Sequence, residues 1–270
     1  GVDKGYSEAF VDSDGDVYVT GYTSSCNFPV YKPLITTSPK KFNGSYCHNS
    51  RDIFVTKISV DSATGNATIA FSTYLGGTKA DFGRGIEVDS LKNMYVTGDT
   101  FSEDFPIVFP FSYGNQLHGS NDAFVIKIRA DGANIWWSDY IGGNFADQAN
   151  DIALDSLNAV YLTGQTVGNS PYKKLEQVFP TTPSAYQTAP NPDAVMGDAF
   201  AVKISPDGKR LEYSTYISGS GQDYGNGITV DGKGMAYIVG TTSSTNLIPA
   251  TTPGYQKSIK GGQDAFLFKL

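Results

Sequence analysis

Apolar residues in this chain come in short bursts, all of one kind. Each burst is rich in Val, Ile, Tyr, Phe and Thr and is bounded by Gly, Asp, Asn or Ser. That pattern predicts short strands joined by tight turns. No stretch sustains the spacing of an amphipathic helix. The bursts also lack a clean polar side, so neither face of the resulting sheets is written for water. From Ala70 the pattern predicts a strand AFSTYLGG, a loop TKADFGRG, a strand GIEVD, a turn DSLKN and a strand NMYVTGDT. A long irregular stretch to Asn121 and a strand DAFVIKI follow.

The same phrases return four times. Asp16-VYVTGYT, Asn93-MYVTGDT, Ala159-VYLTGQT and Met235-AYIVGTT are copies of one strand. Asp52-IFVTKI, Asp122-AFVIKI, Asp198-AFAVKI and Asp264-AFLFKL are copies of the next. Internal repetition means one supersecondary unit stacked several times. Four antiparallel strands per unit, apolar on both faces, predict an all-β fold, a β-propeller of four-stranded antiparallel blades. The blades are expected at about 1–75, 83–141, 148–217 and 224–270. With strands A to D named from the inside outwards, the fourth blade lacks its D strand. The expectation is therefore about four blades with one outer strand missing, completed by further blades of the same polypeptide or by a protein partner.

The run from Tyr213 to Ser244, YSTYISGSGQDYGNGITVDGKGMAYIVGTTSS, followed by IPATTPGYQ and GGQDAFLFKL, resembles the SBBP (seven-bladed β-propeller) repeat. The likeness extends over nearly all of the chain. It implies a surface or secreted protein, commonly large and multidomain, and brings no catalytic motif with it.

Composition narrows the picture. A net charge of −7 repels phosphate backbones and argues against nucleic acid as partner. No apolar run approaches the length of a membrane span. Cys26 and Cys47 share one inter-strand segment, and a disulfide closing such a loop would contribute roughly 3 kcal/mol. Asn43-Gly-Ser and Asn66-Ala-Thr are glycosylation sequons. Together these signals favour an oxidising, extracellular or cell-surface setting.

Strand alternation places the long B–C loops and the D–A loops on one face, called the top. The short A–B and C–D turns lie at the bottom. Long loops on a rigid scaffold are where function usually sits. Their aromatics, Phe28, Tyr31, Phe105, Phe109, Tyr113, Phe179, Tyr186 and Tyr255, either stack on a glycan or pin the loops to the blades. Asp81, Asp147 and Asp223 recur in the D–A loops, and Asp52, Asp122, Asp198 and Asp264 begin strand C on the same face; these carboxyls either form a ring that binds a cation such as Ca²⁺ or cap their own turns. No cofactor is otherwise expected. At the bottom, Asp12, Asp89, Asp155 and Asp231 lie level with Lys57, Lys127, Lys203 and Lys269, and ion pairs between the two sets are expected. Asp12-Ser-Asp14-Gly-Asp16 begins like a calcium loop but lacks the distal Glu. His48 and His118 have no motif around them, and no nucleophile elbow, zinc cluster or phosphate loop is present. The expected function is a non-catalytic extracellular structural or protein-interaction module. A carbohydrate-binding adhesin or lectin is the alternative, and a polysaccharide hydrolase or lyase a further one.

Overall fold

The computed structural model describes residues 1–5, 9–34, 51–109, 111, 115–167, 179–192, 194, 197–247, 254, 256 and 258–270. These residues form strands and turns, with no helix among them. The chain divides into two compact units. One comprises Gly1–Leu117 with Ala123–Tyr140, the other His118–Asp122 with Ile141–Leu270.

Four separate antiparallel sheets follow one another, and each is a propeller blade. The first contains β1 (Asp3–Gly5), β2 (Phe10–Val11), β3 (Val17–Thr23), β4 (Asp52–Val60) and β5 (Ala67–Leu75). The second runs β6 (Asp81–Val88), β7 (Met94–Thr100), β8 (Asp122–Ile128) and β9 (Ile135–Ile141). The third runs β10 (Asp147–Leu154), β11 (Val160–Thr166), β12 (Asp198–Ile204) and β13 (Leu211–Ile217). The fourth has three strands, β14 (Asp223–Val230), β15 (Ala236–Thr242) and β16 (Asp264–Lys269).

The innermost strands start earlier than the sequence pattern predicts. The segments read as loops, DFGRG and its relatives, belong to β6, β10 and β14. The reason is a β-bulge in each, between Gly83 and Gly85, Ala149 and Asp151, and Gly225 and Gly227. A bulge adds one unpaired residue, which hides the alternation. The glycines have a packing role. A Cβ on Gly83 would strike the Thr20 hydroxyl and the Ile53 side chain of the preceding blade, and one on Gly225 would strike the Thr163 hydroxyl. Inner strands thus lie directly against the neighbouring sheet within each unit.

The core of the first unit includes Tyr18, Ile53, Val55, Phe71, Leu75, Met94, Val96, Phe124 and Ile126. That of the second includes Tyr161, Ala199, Ala201, Ile217, Ile238 and Phe266. Both faces of the middle strands of the second and third blades are buried, which explains the missing polar side: every residue of β7 is buried.

Each A–B turn is closed by its first aspartate. Asp89 Oδ1 accepts the N–H groups of Leu91 and Asn93, and Asp155 Oδ1 those of Leu157 and Ala159. Asp231 does the same for Lys233 and Met235. Asp12 does it for Asp14 and Asp16, so the calcium-like run is a turn of the same kind as the other three. A residue with positive φ sits at the same point in all four turns, as Gly15, Lys92, Asn158 and Gly234.

The bottom ion pairs form as expected in three blades: Lys127–Asp89 at 3.6 Å, Lys203–Asp155 at 3.6 Å and Lys269–Asp231 at 3.8 Å. The first blade departs. Lys57 pairs with Asp16 at 2.8 Å, and Asp12 takes Lys92 of the next blade at 2.9 Å.

Candidate functional site

The long B–C loops are the candidate site, and their geometry turns on one repeated contact. Phe28, Phe105 and Phe179 each precede a proline. Each ring packs between a phenylalanine of strand C and a tyrosine of strand D of its own blade. Phe28 lies 4.8 Å from Phe54 and 5.8 Å from Tyr74. Phe105 lies 4.7 Å from Phe124 and 6.1 Å from Tyr140, and Phe179 lies 4.6 Å from Phe200 and 5.9 Å from Tyr216. Phe105 and Phe179 are buried and Phe28 is half-buried. Phe105 and Phe179 therefore cannot present a flat ring to a glycan. Burying an aromatic face on two others is more favourable than leaving it in water.

The proline that follows continues the clamp. The hydroxyls of Ser72, Ser138 and Ser214 on strand D donate to the carbonyls of Pro29, Pro106 and Pro180. Backbone bonds then bind the loop to the same strand. Tyr31 and Ser72 exchange both N–H···O bonds, Ser138 N–H donates to Val108 O, and Thr182 N–H donates to Ser214 O. Each loop is a strap along the outer edge of its blade, meeting the backbone groups that an edge strand leaves open.

Of the remaining aromatics, Tyr31 and Phe109 are exposed, and Phe109 adopts a positive φ of 50°. Tyr186 is half exposed, its ring centre 5.0 Å from that of Phe268 in an edge-to-face arrangement. Tyr113 and Tyr255 lie outside the described residues, as do Asn43, Cys47 and His48. Cys26 is in the turn just after β3, and Asn66 is exposed in the turn between β4 and β5. His118 has a buried side chain with Nδ1 3.8 Å from Asp122.

The aspartates read as D–A loop residues instead open the inner strands, and all three are buried. Asp81 accepts the Thr100 hydroxyl, the Ser102 hydroxyl at 3.0 Å and the Gly77 N–H at 2.8 Å. Asp223 accepts the Thr242 and Ser244 hydroxyls and the Gly219 N–H. Asp147 accepts the Gly143 N–H at 2.7 Å. Each is thus held by an N–H of its own turn, and Asp81 and Asp223 also by hydroxyls at the end of the neighbouring strand B. Among the described residues no three His, Cys, Asp or Glu side chains converge as a metal group would require.

The sequence places a second carboxyl on the same face, at the start of strand C, and the structure brings the two sets together. Asp52, Asp122 and Asp198 open the strands β4, β8 and β12 and are also buried. Each comes close enough for its charge to raise the pKa of an inner-strand aspartate or to be raised by it. Burial pushes Asp52 and Asp81 up to about 7, Asp122 to about 6, and Asp147 and Asp198 to about 7. The signal was visible, since an aspartate begins both strand types in every blade.

The beta-propeller repeat family, SBBP, matches residues 70–106, 137–170 and 212–248. The chain is an SBBP-type β-propeller repeat protein. Each matched SBBP stretch starts on strand D of one blade, crosses the turn and ends past strand B of the next. The SBBP signature therefore spans the junction between two blades rather than a single blade, and it includes the inner-strand aspartates Asp81, Asp147 and Asp223. A comparison with curated proteins returned no match.

Proposed function

We propose that this SBBP propeller is a non-catalytic structural and protein-interaction module of an extracellular or cell-surface assembly, and that the fourth blade is the face that receives its partner. The observation that carries this reading is the exposure of Val239 and Leu267, at 50% and 63%. They are register partners on β15 and β16. The corresponding pairs, Thr20 with Val55 and Thr163 with Ala201, are buried. Those pairs are covered by the inner strand of the next blade, with its glycine against the threonine. The partner is accordingly a further blade of the same type, in the same polypeptide or a neighbouring chain, bearing glycine or alanine at that point. The long loops, where chemistry is usually built, are spent on bracing strand D, which favours a scaffold over a catalyst or lectin. Glycans on Asn43 and Asn66 and a Cys26–Cys47 disulfide belong to the same proposal, and non-reducing peptide mapping tests the disulfide.

Analytical ultracentrifugation of the chain and of a Val239→Asp, Leu267→Asp variant tests the docking face. Self-association of the native chain, lost in the variant at unchanged Tm, is the expected result. A native chain that stays monomeric at all concentrations and binds no added blade would overturn the reading.

A further inference from the structure

The turns that lead from an outer strand to the next inner strand bring two buried carboxyls together without a counter-ion. In the first unit these are Asp52 and Asp81. The N–H of Asp81 donates to the carbonyl of Arg51 at 2.7 Å, which fixes the start of β6 beside the start of β4. A side chain on Gly76 would begin 2.6 Å from Asp81 Oδ2 and 3.1 Å from Asp52 Oδ1, so both oxygens border the same small space. Asp81 is saturated by three donors, whereas Asp52 Oδ1 has no hydrogen-bond partner although the residue is buried.

The second unit repeats the arrangement once and holds a related pair beside it. Asp223 N–H donates to Gly197 O at 2.9 Å, which sets Asp223 beside Asp198. Asp223 is saturated by Thr242, Ser244 and Gly219, and Asp198 Oδ2 is unpartnered. Here Ser218 stands where Gly76 stands in the first unit, and its hydroxyl donates to Asp198 Oδ1. Asp147 N–H donates to Asn121 O at 2.9 Å beside Asp122. Asp122 takes the N–H groups of His118 and Gly119, and Asp147 is held by the Gly143 N–H and the Thr166 side chain.

Two ionised carboxyls in such a dry place repel, and an orphaned buried oxygen is costly. No lysine or arginine among the described residues pairs with any of the six. Two carboxyls, one already saturated, are too few for a cation shell. What remains is a proton. We propose that the junctions at Asp52–Asp81 and Asp198–Asp223 are each closed by one proton shared between the two aspartates, so that the blades tighten in acid and loosen as the pH rises to neutral.

The sign follows from linkage. These groups take up protons on folding, since their carboxyls are held above the ordinary aspartate range of about 3.9. Their contribution is full below that range and is lost as the pH climbs through about 7. Other groups facing the first pair do not neutralise it. Asp104 adds negative charge beside Asp81, and Tyr74 on β5 feels the charge of Asp52. The guanidinium of Arg51 lies over the rings of Tyr22 and Phe82. At the middle pair, burial lowers the pKa of His118, so it supplies no cation at neutral pH.

Asparagine copies a protonated aspartate. The test is thermal unfolding at pH 5 and pH 8 of the native chain, Asp52→Asn and Asp198→Asn. The native Tm is expected to be several degrees higher at pH 5. Each variant should raise the Tm at pH 8 and flatten the pH dependence. An equal loss of Tm at both pH values would overturn the proposal, as would a rise in Tm at pH 8 produced by added Ca²⁺. Should a variant fail to fold, ¹³C NMR of the native carboxyls decides. Aspartate signals titrating between pH 6 and 8 support the shared proton, and their absence removes it.

Discussion

Tyr95 donates its hydroxyl to Asp89, while Lys127 lies 4.7 Å from the centre of its ring. Tyr161 with Asp155 and Lys203, and Tyr237 with Asp231 and Lys269, repeat the group. This explains why the tyrosine, the aspartate before it and the lysine of the following strand recur together. The aspartate shapes the turn, the tyrosine ties that turn to the strand, and the lysine covers the ring with a cation. Tyr161→Phe removes the part-buried hydroxyl that donates to Asp155 Oδ2 and Gly234 O, and is expected to cost about 0.5–1.5 kcal/mol in urea unfolding. At the strap, Phe179→Ala empties the space between Phe200 and Tyr216 and should cost about 3–5 kcal/mol. Phe109→Ala, at an exposed ring, should stay within about 0.5 kcal/mol by the same measurement.

At the scale of the element, the strap and strand D act together. The serine hydroxyl on strand D and the proline carbonyl it meets are 43, 32 and 34 residues apart in the three blades. Ser138→Ala is expected to raise amide exchange along β9 and the strap from Pro106 to Val108, with β7 unchanged. Hydrogen exchange read by mass spectrometry checks this. The recurrence of Phe-Pro was legible in the sequence, and so were β3, β4 and their copies, because local apolar bursts report strands directly. The strap's destination was not legible. It depends on which strand lies beside the loop after the sheet has formed, and a buried aromatic reads the same as an exposed one in a loop of mixed residues. The starts of β6, β10 and β14 were hidden for a different reason, since a bulge at Arg84, Asn150 or Asn226 breaks the alternation that would have marked them. Both sets of aspartates were legible on one face, but which carboxyl meets which was not, because the members of a pair come from different blades and no spacing along the chain marks them as neighbours.

On the scale of the whole molecule, stability within each unit rests on how closely one sheet approaches the next. In the second unit Asn150 Nδ2 donates to Gly225 O at 2.8 Å, and Asp151 Oδ2 accepts the Ile228 N–H at 2.8 Å. Gly225→Val would force β14 away from Thr163 and break both bonds. The expected outcome is a separate early unfolding transition for the fourth blade, seen by limited proteolysis at a temperature where the native chain resists. A single cooperative transition at the native Tm would show that the close approach is not needed.

The turns after β5, β9 and β13 carry a wider consequence. Each turn supplies the N–H that holds the incoming inner strand, and the carboxyls it clamps are aspartates in all three cases. The coupling is thus standardised: what leaves one blade is what the following blade is built to accept. Insertion of a few residues inside a blade would spoil its register, but gain or loss of a whole blade would leave every other coupling as it was. A protein joined this way can vary in copy number as readily as in sequence, and its natural relatives are expected to differ in length by whole blades.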